Sequence, residues 1–590
     1  MCGIVGCVGE SFAGKKVLEK LKLLQYRGYD SAGVGFNDNG ELLSIKCVGE
    51  VANLEQKVTQ NFEKSSCVIG HTRWATHGGV CEENAHPIVE GKVAVVHNGI
   101  FENCSTLGDV FLNKELNNCV LDTAVFAKCL NRLLSVEKVS TKTVLDSLSV
   151  VLSESLGSWA LCFLVSECDN TIFFAKNKSP LIIGKSEHGY FLCSDITSLA
   201  GDCKQICELN DGDYGWVSEK TIKIYNKFGK TSDRKWRKVG SEFVDVSLGE
   251  YSCFMEKEIE ESFSCALDTI QNFAFPSSLA RKMQKYPVYV CACGSAFNAG
   301  LCFKHWMGSL LSCSVDCVYA SEYANRNVLG KASVGFFISQ SGETADTLYG
   351  VELAKDRDIC VGIVNTPNSS LTKKCDYVLY TKAGKECAVA ATKTYACQLV
   401  CGLSIVEKLS NKNKDLLNTS ELCTKLNKID FSKIKHDVLE IAKIIKNEES
   451  VYFVGRGVDY YIAKEGALKL REVSYIHVEA LPAGELKHGS LALIDSSTFV
   501  VVILTQSKLI KKTLNNVAEI KSRGGKIIMF SPFSEAESLA DFWIEVPRFC
   551  DEFMPVVMAK PLQLLACYTA LSKGLNPDKP RNLAKSVTVE

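Results

Sequence analysis

Cys2, directly after Met1, is the first residue whose position suggests chemistry. A small second residue favours removal of the initiator Met, which places a thiol beside a free α-amine. With reference pKa values of about 7.7–8.0 for the amine and about 8.5 for the thiol, one group can take the other's proton near neutral pH. Nucleophile and general base then belong to one residue, the cysteine counterpart of an N-terminal threonine. An inert second-residue cysteine fits the same two letters, so other motifs must decide. SQSGET at 339–344 closes an apolar run and opens a helical one. The hydroxyls of Ser339, Ser341 and Thr344, with N–H groups at a positive helix end, make a phosphate cradle that needs no basic residue. Simple helix capping uses the same residue types. In EGALKLRE at 465–472, Glu465, Lys469 and Glu472 fall on one helical face, as a charged stripe facing either a pocket or solvent.

Other chemistries find less support. His71, His77, His86 and His97 lie close in sequence, yet their spacing matches neither HxxxH nor HExxH, which favours structural hydrogen-bonding histidines over a metal site. The 28 cysteines are scattered and form no CxxC, so nearly all read as small buried apolar residues. GRG at 455–457 is only part of a dinucleotide fingerprint, and no cofactor is implied. A formal net charge of −1 lacks the basic excess of a nucleic-acid binder. With no stretch of about 18 consecutive apolar residues and no signal-peptide layout at the start, the expectation is a soluble, cytoplasmic protein without a membrane partner.

The elements that must position these groups follow two grammars. At 590 residues the chain should hold about three to five domains. Up to about residue 210, short apolar runs bounded by turn residues alternate with helical stretches near 14–26 and 122–135, an α+β pattern. Charge-rich pieces follow. From about 286, strands run through Gly, Ser or Thr directly into helices, as parallel α/β units do. The rhythm restarts after 408–435, which predicts two tandem copies of one α/β unit.

CGIVG at 2–6, YRGYDSAG at 26–33, HTRWATHG at 71–78, NAHP at 84–87 and HNGI at 97–100 together resemble the class II glutamine amidotransferases. That resemblance implies an αββα N-terminal-nucleophile hydrolase fold that releases ammonia from glutamine with Cys2. It implies that Arg73 holds the substrate carboxylate and Asp122 its ammonium, with Trp74, Thr76, His77 and His86 also on the glutamine side. Asn98 and the Gly99 N–H match the oxyanion hole, where each donor is worth about 3–4 kcal/mol.

The strand-to-SQSGET turn, the second α/β repeat, AGELKHG at 483–489 and PRNLAKSVTVE at 580–590 resemble the paired sugar isomerase (SIS) domains of the glucosamine-6-phosphate synthase family. The resemblance implies a glutaminase domain at 2–215, a linker at 216–275, SIS domains at 279–418 and 442–580, and a catalytic tail at 581–590. It implies transfer of the glutamine amide nitrogen to fructose 6-phosphate with isomerisation, the first step toward UDP-N-acetylglucosamine. Ser295, Ser339, Gln340, Ser341, Thr344, Val389, Glu465, Lys469 and Ala584 would contact the sugar phosphate. His488 would open the ring from a neighbouring subunit, making a homodimer. Lys585 would form a Schiff base, and Glu472 would move the proton between C1 and C2.

The chain departs from the family at CGSA, 293–296, where CGTS is usual, and at AATK, 390–393, where ASTK is usual. Ala296 and Ala391 each lack a hydroxyl, and a lost hydrogen bond to a charged group costs about 1.5–3 kcal/mol. Two alternatives stand beside the enzyme: a sugar-phosphate sensor without turnover, and transfer of ammonia to another acceptor. A sensor would be expected to lose Glu472, His488 or Lys585, and all three are present; another acceptor does not account for the tandem SIS repeats.

Overall fold

The computed structural model describes residues 2–590 except 76–77, 113–120, 200, 239–247, 326–331, 411–417 and 588–590. Thr76 and His77, expected on the glutamine side, lie outside the described residues. The chain divides into two compact units, 1–245 with 586–589, and 246–585.

The first unit is built on two antiparallel sheets. In the eight-stranded sheet, Gly3–Val8 lies between Tyr190–Cys193 and Cys67–Arg73, and Ser31–Asp38 follows on the far side. In the six-stranded sheet, Val93–Phe101 pairs with Gly157–Val165 and Ile88–Glu90. Side chains alternate across each strand. Ile4 and Val8 therefore face the layer between the sheets, with Ile69, Val96 and Phe174, while Val5 and Cys7 pack outward with Val17 and Leu21 of helix Ala13–Leu24. Val93 and Val95 pack outward with Phe126 and Leu148 of helices Asp122–Leu133 and Thr141–Glu154. Burial on both faces is why these strands read as continuous apolar runs, and the result is the expected αββα sandwich.

The second unit holds two five-stranded parallel sheets of identical strand order, the second strand outside the first and the third to fifth following. One runs Val315–Tyr319, Val288–Ala292, Val334–Ser339, Ile359–Val364, Tyr377–Tyr380; the other His477–Pro482, Ser450–Gly455, Phe499–Ile503, Lys526–Ser531, Phe542–Glu545. The predicted tandem α/β copies are thus repeats of one topology. Helix Met554–Ser572 is long and apolar enough to cross a membrane by length and composition, but 94% of its apolar window is buried, against helices Val458–Ser474 and Ser432–Ile445 among others.

The stretch expected as a linker is largely regular. Ile222–Tyr225 and Trp236–Lys238 extend the two antiparallel sheets. Phe254–Gln271 is a helix whose Met255, Ile259, Phe263 and Ala266 enter the core of the second unit. The acidic residues between them mask that apolar stripe in the sequence. All 27 described cysteines are free thiols and sixteen of them are buried, in keeping with their use as small apolar residues.

Candidate active site

Strand register brings Cys2 to its surroundings. Gly3 pairs with Thr72 and Ser31 with Arg73, so Cys2 sits at the end of its strand, level with Arg73 and Trp74. The Trp74 N–H donates to Cys2 Sγ at 3.3 Å, and the thiol lies 3.5 Å from the Trp74 carbonyl. Across the sandwich, Asn98 Nδ2 donates to the Cys2 carbonyl at 3.0 Å. His71 Nε2 faces two acceptors, the His97 carbonyl at 3.0 Å and Asn98 Oδ1 at 3.1 Å, so that nitrogen carries the proton. Its donation to Oδ1 turns the Asn98 NH₂ group toward Cys2.

Gly99 follows with φ +130°, and a Cβ there would sit 2.1 Å from the Ser158 carbonyl oxygen. Only glycine fits both the conformation and the neighbouring strand. Arg73 is buried and donates to the carbonyls of Gly79 at 3.2 Å and Gly78 at 3.4 Å. Leu121 packs against Gly78, and the next residue, Asp122, opens its helix and accepts from the Phe101 N–H at 3.0 Å.

Three further residues hold Cys2. Arg27 Nε donates to the Cys2 carbonyl at 3.1 Å, Arg27 Nη1 to Asp195 Oδ2 at 3.1 Å, and the Tyr26 hydroxyl to the same oxygen at 2.5 Å. Tyr26 and Arg27 belong to the YRGYDSAG motif, but Asp195 carries no spacing signal because it lies 168 residues from Arg27.

The histidines are bound into this framework. His86 Nδ1 lies 3.3 Å from His71 Nε2, and His97 Nδ1 lies 2.9 Å from Thr123 Oγ1. Burial pushes the pKa of His71 down to about 3 and that of His86 well below its usual range. Burial also lowers His97, against the pull of Asp122. Because the unfolded chain binds the His71 proton near pH 6.5 and the folded chain does not, stability is full above about pH 6.5 and is lost as pH falls. His71 alone accounts for about 2 kcal/mol of loss by pH 5. Denaturant melts of the protein between pH 7.5 and 5 should show this fall, and His71→Gln should flatten its slope.

In the second unit, chain order 2-1-3 at the sheet edge places a crevice where the ends of Val288–Ala292 and Val334–Ser339 diverge, the usual ligand position in such sheets. Ser295 and SQSGET occupy those two ends. Ser339 Oγ lies 2.9 Å from Thr344 Oγ1 and accepts from the Gly342 N–H at 3.0 Å, while Ser341 Oγ accepts from the Glu343 N–H at 3.1 Å. Gly342 has φ +67°, and a Cβ there would meet Ser369 Oγ at 2.1 Å. Thr344 precedes helix Ala345–Ala354 without a side-chain cap bond, which leaves that helix end open to an anion. The Gln340 carbonyl accepts from the Asn365 N–H at 3.1 Å.

The charged stripe lies on helix Val458–Ser474 of the second repeat, largely buried, and is met by a side chain of the first. Lys469 Nζ sits 2.6 Å from Glu472 Oε2 and 3.7 Å from Glu465 Oε1. Asn298, on the helix that carries Ser295, donates to Glu465 Oε2 at 2.8 Å, and burial pushes Glu465 up to about 6. Lys469 is 1% exposed at its side chain and Glu472 21%, so the stripe faces the interior, with Glu472 its most accessible end.

Lys585 is ion-paired with Glu386, and both side chains are buried. Glu386 lies in the loop 381–392, where the Val389 N–H donates to the Asp578 carbonyl at 3.0 Å. The Glu386 charge also acts on Lys469, which brings the tail and the stripe into one electrostatic neighbourhood. Ala584 is half-buried beside Lys585. His488 ends a short 3₁₀ turn, Glu485–His488, and is exposed.

Residues 283–408 and 444–573 each match the SIS domain, so the second unit is a pair of SIS domains. Over the full length of both chains, the protein is 36% identical to the glutamine–fructose-6-phosphate aminotransferase [isomerizing] of Caldanaerobacter subterraneus subsp. tengcongensis and 37% identical to that of Fusobacterium nucleatum subsp. nucleatum. The solved C-terminal domain of glucosamine-fructose-6-phosphate aminotransferase from Francisella tularensis is 35% identical, with a TM-score of 0.53, covering 56% of this chain and 100% of that one. The tagatose-6-phosphate ketose/aldose isomerase of Escherichia coli, 17% identical with a TM-score of 0.50 over 55% of this chain and 95% of that one, shares the fold. The chain belongs to the family of isomerising glutamine–fructose-6-phosphate aminotransferases.

Proposed function

We propose that the protein transfers the amide nitrogen of glutamine to fructose 6-phosphate and isomerises the product to glucosamine 6-phosphate, releasing glutamate. The full-length match to enzymes of that name carries the reading. With Met1 removed, the Cys2 thiol attacks the glutamine amide, its own amine taking the proton. Asn98 Nδ2 and the Gly99 N–H stabilise the tetrahedral oxyanion; the first already points at Cys2. Arg73 and Asp122 grip the two ends of the amino acid, beside Trp74 and His86. Ammonia leaves, and water hydrolyses the thioester to glutamate.

At the other site the SQSGET hydroxyls and open helix end, with Ser295 and Gln340, hold the phosphate, while the backbone around Val389 and Ala584 lines the sugar. His488 opens the ring; its exposure in the single chain suits delivery to a second copy, and hence a homodimer. Lys585 forms an imine at C2, ammonia replaces it, and Glu472, next to Lys469 and Glu465, moves the proton between C1 and C2. Free ammonia would be mostly protonated near pH 7, so internal passage between the sites is part of the reading.

Incubating the protein with fructose 6-phosphate and glutamine should yield glucosamine 6-phosphate and glutamate in equal amounts by mass spectrometry. Glutamate without aminosugar would leave only the glutaminase half standing.

A further inference from the structure

Two buried carboxylates with no role so far meet beneath Lys585. Glu386 pairs with Lys585 Nζ and accepts four more contacts on Oε1: the N–H groups of Thr392 at 2.9 Å and Thr394 at 3.1 Å, and their hydroxyls at 3.0 Å each. Glu258, on helix Phe254–Gln271, accepts from the N–H groups of Cys387 and Ala388. Its Oε2 lies 3.0 Å from Thr392 Oγ1.

The Thr392 hydroxyl thus touches both carboxylates but has a single hydrogen. It can donate to only one of them, and the other contact is attractive only if the second acid carries a proton of its own. Glu386 has the lysine and the denser set of donors, so it is the charged member and Glu258 the neutral one. The electrostatics agree. Burial and the Glu386 charge push Glu258 up to about 8, whereas the Lys585 ammonium overrides burial and holds Glu386 at about 2. The other groups acting on the pair are Lys469 and Lys393, the latter ion-paired to Glu261 at 2.7 Å. The thiols of Cys265, Cys387 and Cys397 are neutral, raised by burial.

We propose that Glu386 is the counter-ion and proton acceptor of Lys585, and that Glu258 is a positioning residue which, as the neutral acid, fixes Glu386 through Thr392. The inference rests on Lys585 being the imine-forming amine. The ammonium of Lys585 passes one proton to Glu386 transiently, uphill from the ion pair, as its nitrogen adds to C2 of the open-chain ketose and forms the C–N bond. The adduct's oxygen, protonated from nitrogen, takes the Glu386 proton and leaves as water. The products are the iminium, whose positive charge faces a carboxylate restored to its starting state, and one water.

Four variants of the full chain test this, by ammonium-dependent aminosugar formation and by borohydride trapping of the Lys585–fructose 6-phosphate adduct in the mass spectrum. Glu386→Gln should lower the aminosugar rate by about 10²-fold or more, with the sugar KM changed far less. Its trapped adduct at pH 7 should fall in step, because the Lys585 proton then has no acceptor beside it. Glu386→Asp should recover part of the loss. Glu258→Gln, an isostere of the protonated acid, should keep at least about tenfold more rate than Glu258→Leu or Glu386→Gln. The rise in melting temperature of each variant on adding fructose 6-phosphate controls for folding of the second unit. An adduct in the unaltered protein with Glu386→Gln trapped equally at pH 7, or Glu258→Gln falling as far as Glu386→Gln, would overturn the proposal. No adduct in the unaltered protein would overturn the imine reading and this proposal together.

Discussion

Cys2→Ala is expected to lower glutamine hydrolysis by about 10⁴-fold or more, the scale on which removal of a covalent nucleophile acts. Aminosugar formation from added ammonium should stay within about threefold of the unaltered protein. The large effect follows from how the site is built. Asn98, Arg27 and the Trp74 backbone all converge on Cys2, and none of them offers a nucleophile in its place. The small effect follows from the division of the chain, because the residues proposed for the sugar phosphate, from Ser295 to Lys585, belong to the other unit. Coupled assays for glutamate and for aminosugar, run on the same preparation, separate the two outcomes. Loss of both activities would mean that Cys2 serves the structure and not the glutaminase step alone.

The second large effect concerns Glu472. Replacing it with glutamine keeps the side-chain length and an acceptor for Lys469 but removes the group that can carry a proton. Aminosugar formation should fall by about 10²–10⁴-fold, the usual contribution of a positioned general base, with glutamine hydrolysis unaffected. Lys469 would retain Glu465 as its counter-ion, at 3.7 Å, so a buried lysine is not left unpaired. If the stripe were only an ion-pair device, the variant would change melting temperature and leave the rate nearly intact. Exchange of the C1 or C2 hydrogen with deuterated solvent gives an independent readout that a structural role would not move.

The sandwich and the paired α/β units were legible because their apolar runs are short, regularly punctuated and buried on both faces. Cys2 and the SQSGET hydroxyls were legible from their own positions, beside a chain start and at a strand-to-helix turn, whereas Asn98 and Gly99 were read only from the resemblance to the amidotransferases. Glu465, Lys469 and Glu472 could be placed on one face, but whether that face met solvent or the interior needed the packing of helix Val458–Ser474 against the helix carrying Ser295. Asp195, Glu258 and Glu386 left no signal, since each acts on a residue far away in the chain and a single acidic letter has no period. The helix Phe254–Gln271 was hidden by the acidic residues interspersed with its apolar stripe, and with it the element that supplies Glu258.

The most direct test of the coupled reaction uses glutamine labelled with ¹⁵N at the amide, fructose 6-phosphate, and an excess of unlabelled ammonium in the bulk. If the two sites act as one enzyme, glucosamine 6-phosphate should carry ¹⁵N in amounts matching the glutamate released. Aminosugar carrying the isotope ratio of the bulk ammonium, or glutamate formed without aminosugar, would contradict the account.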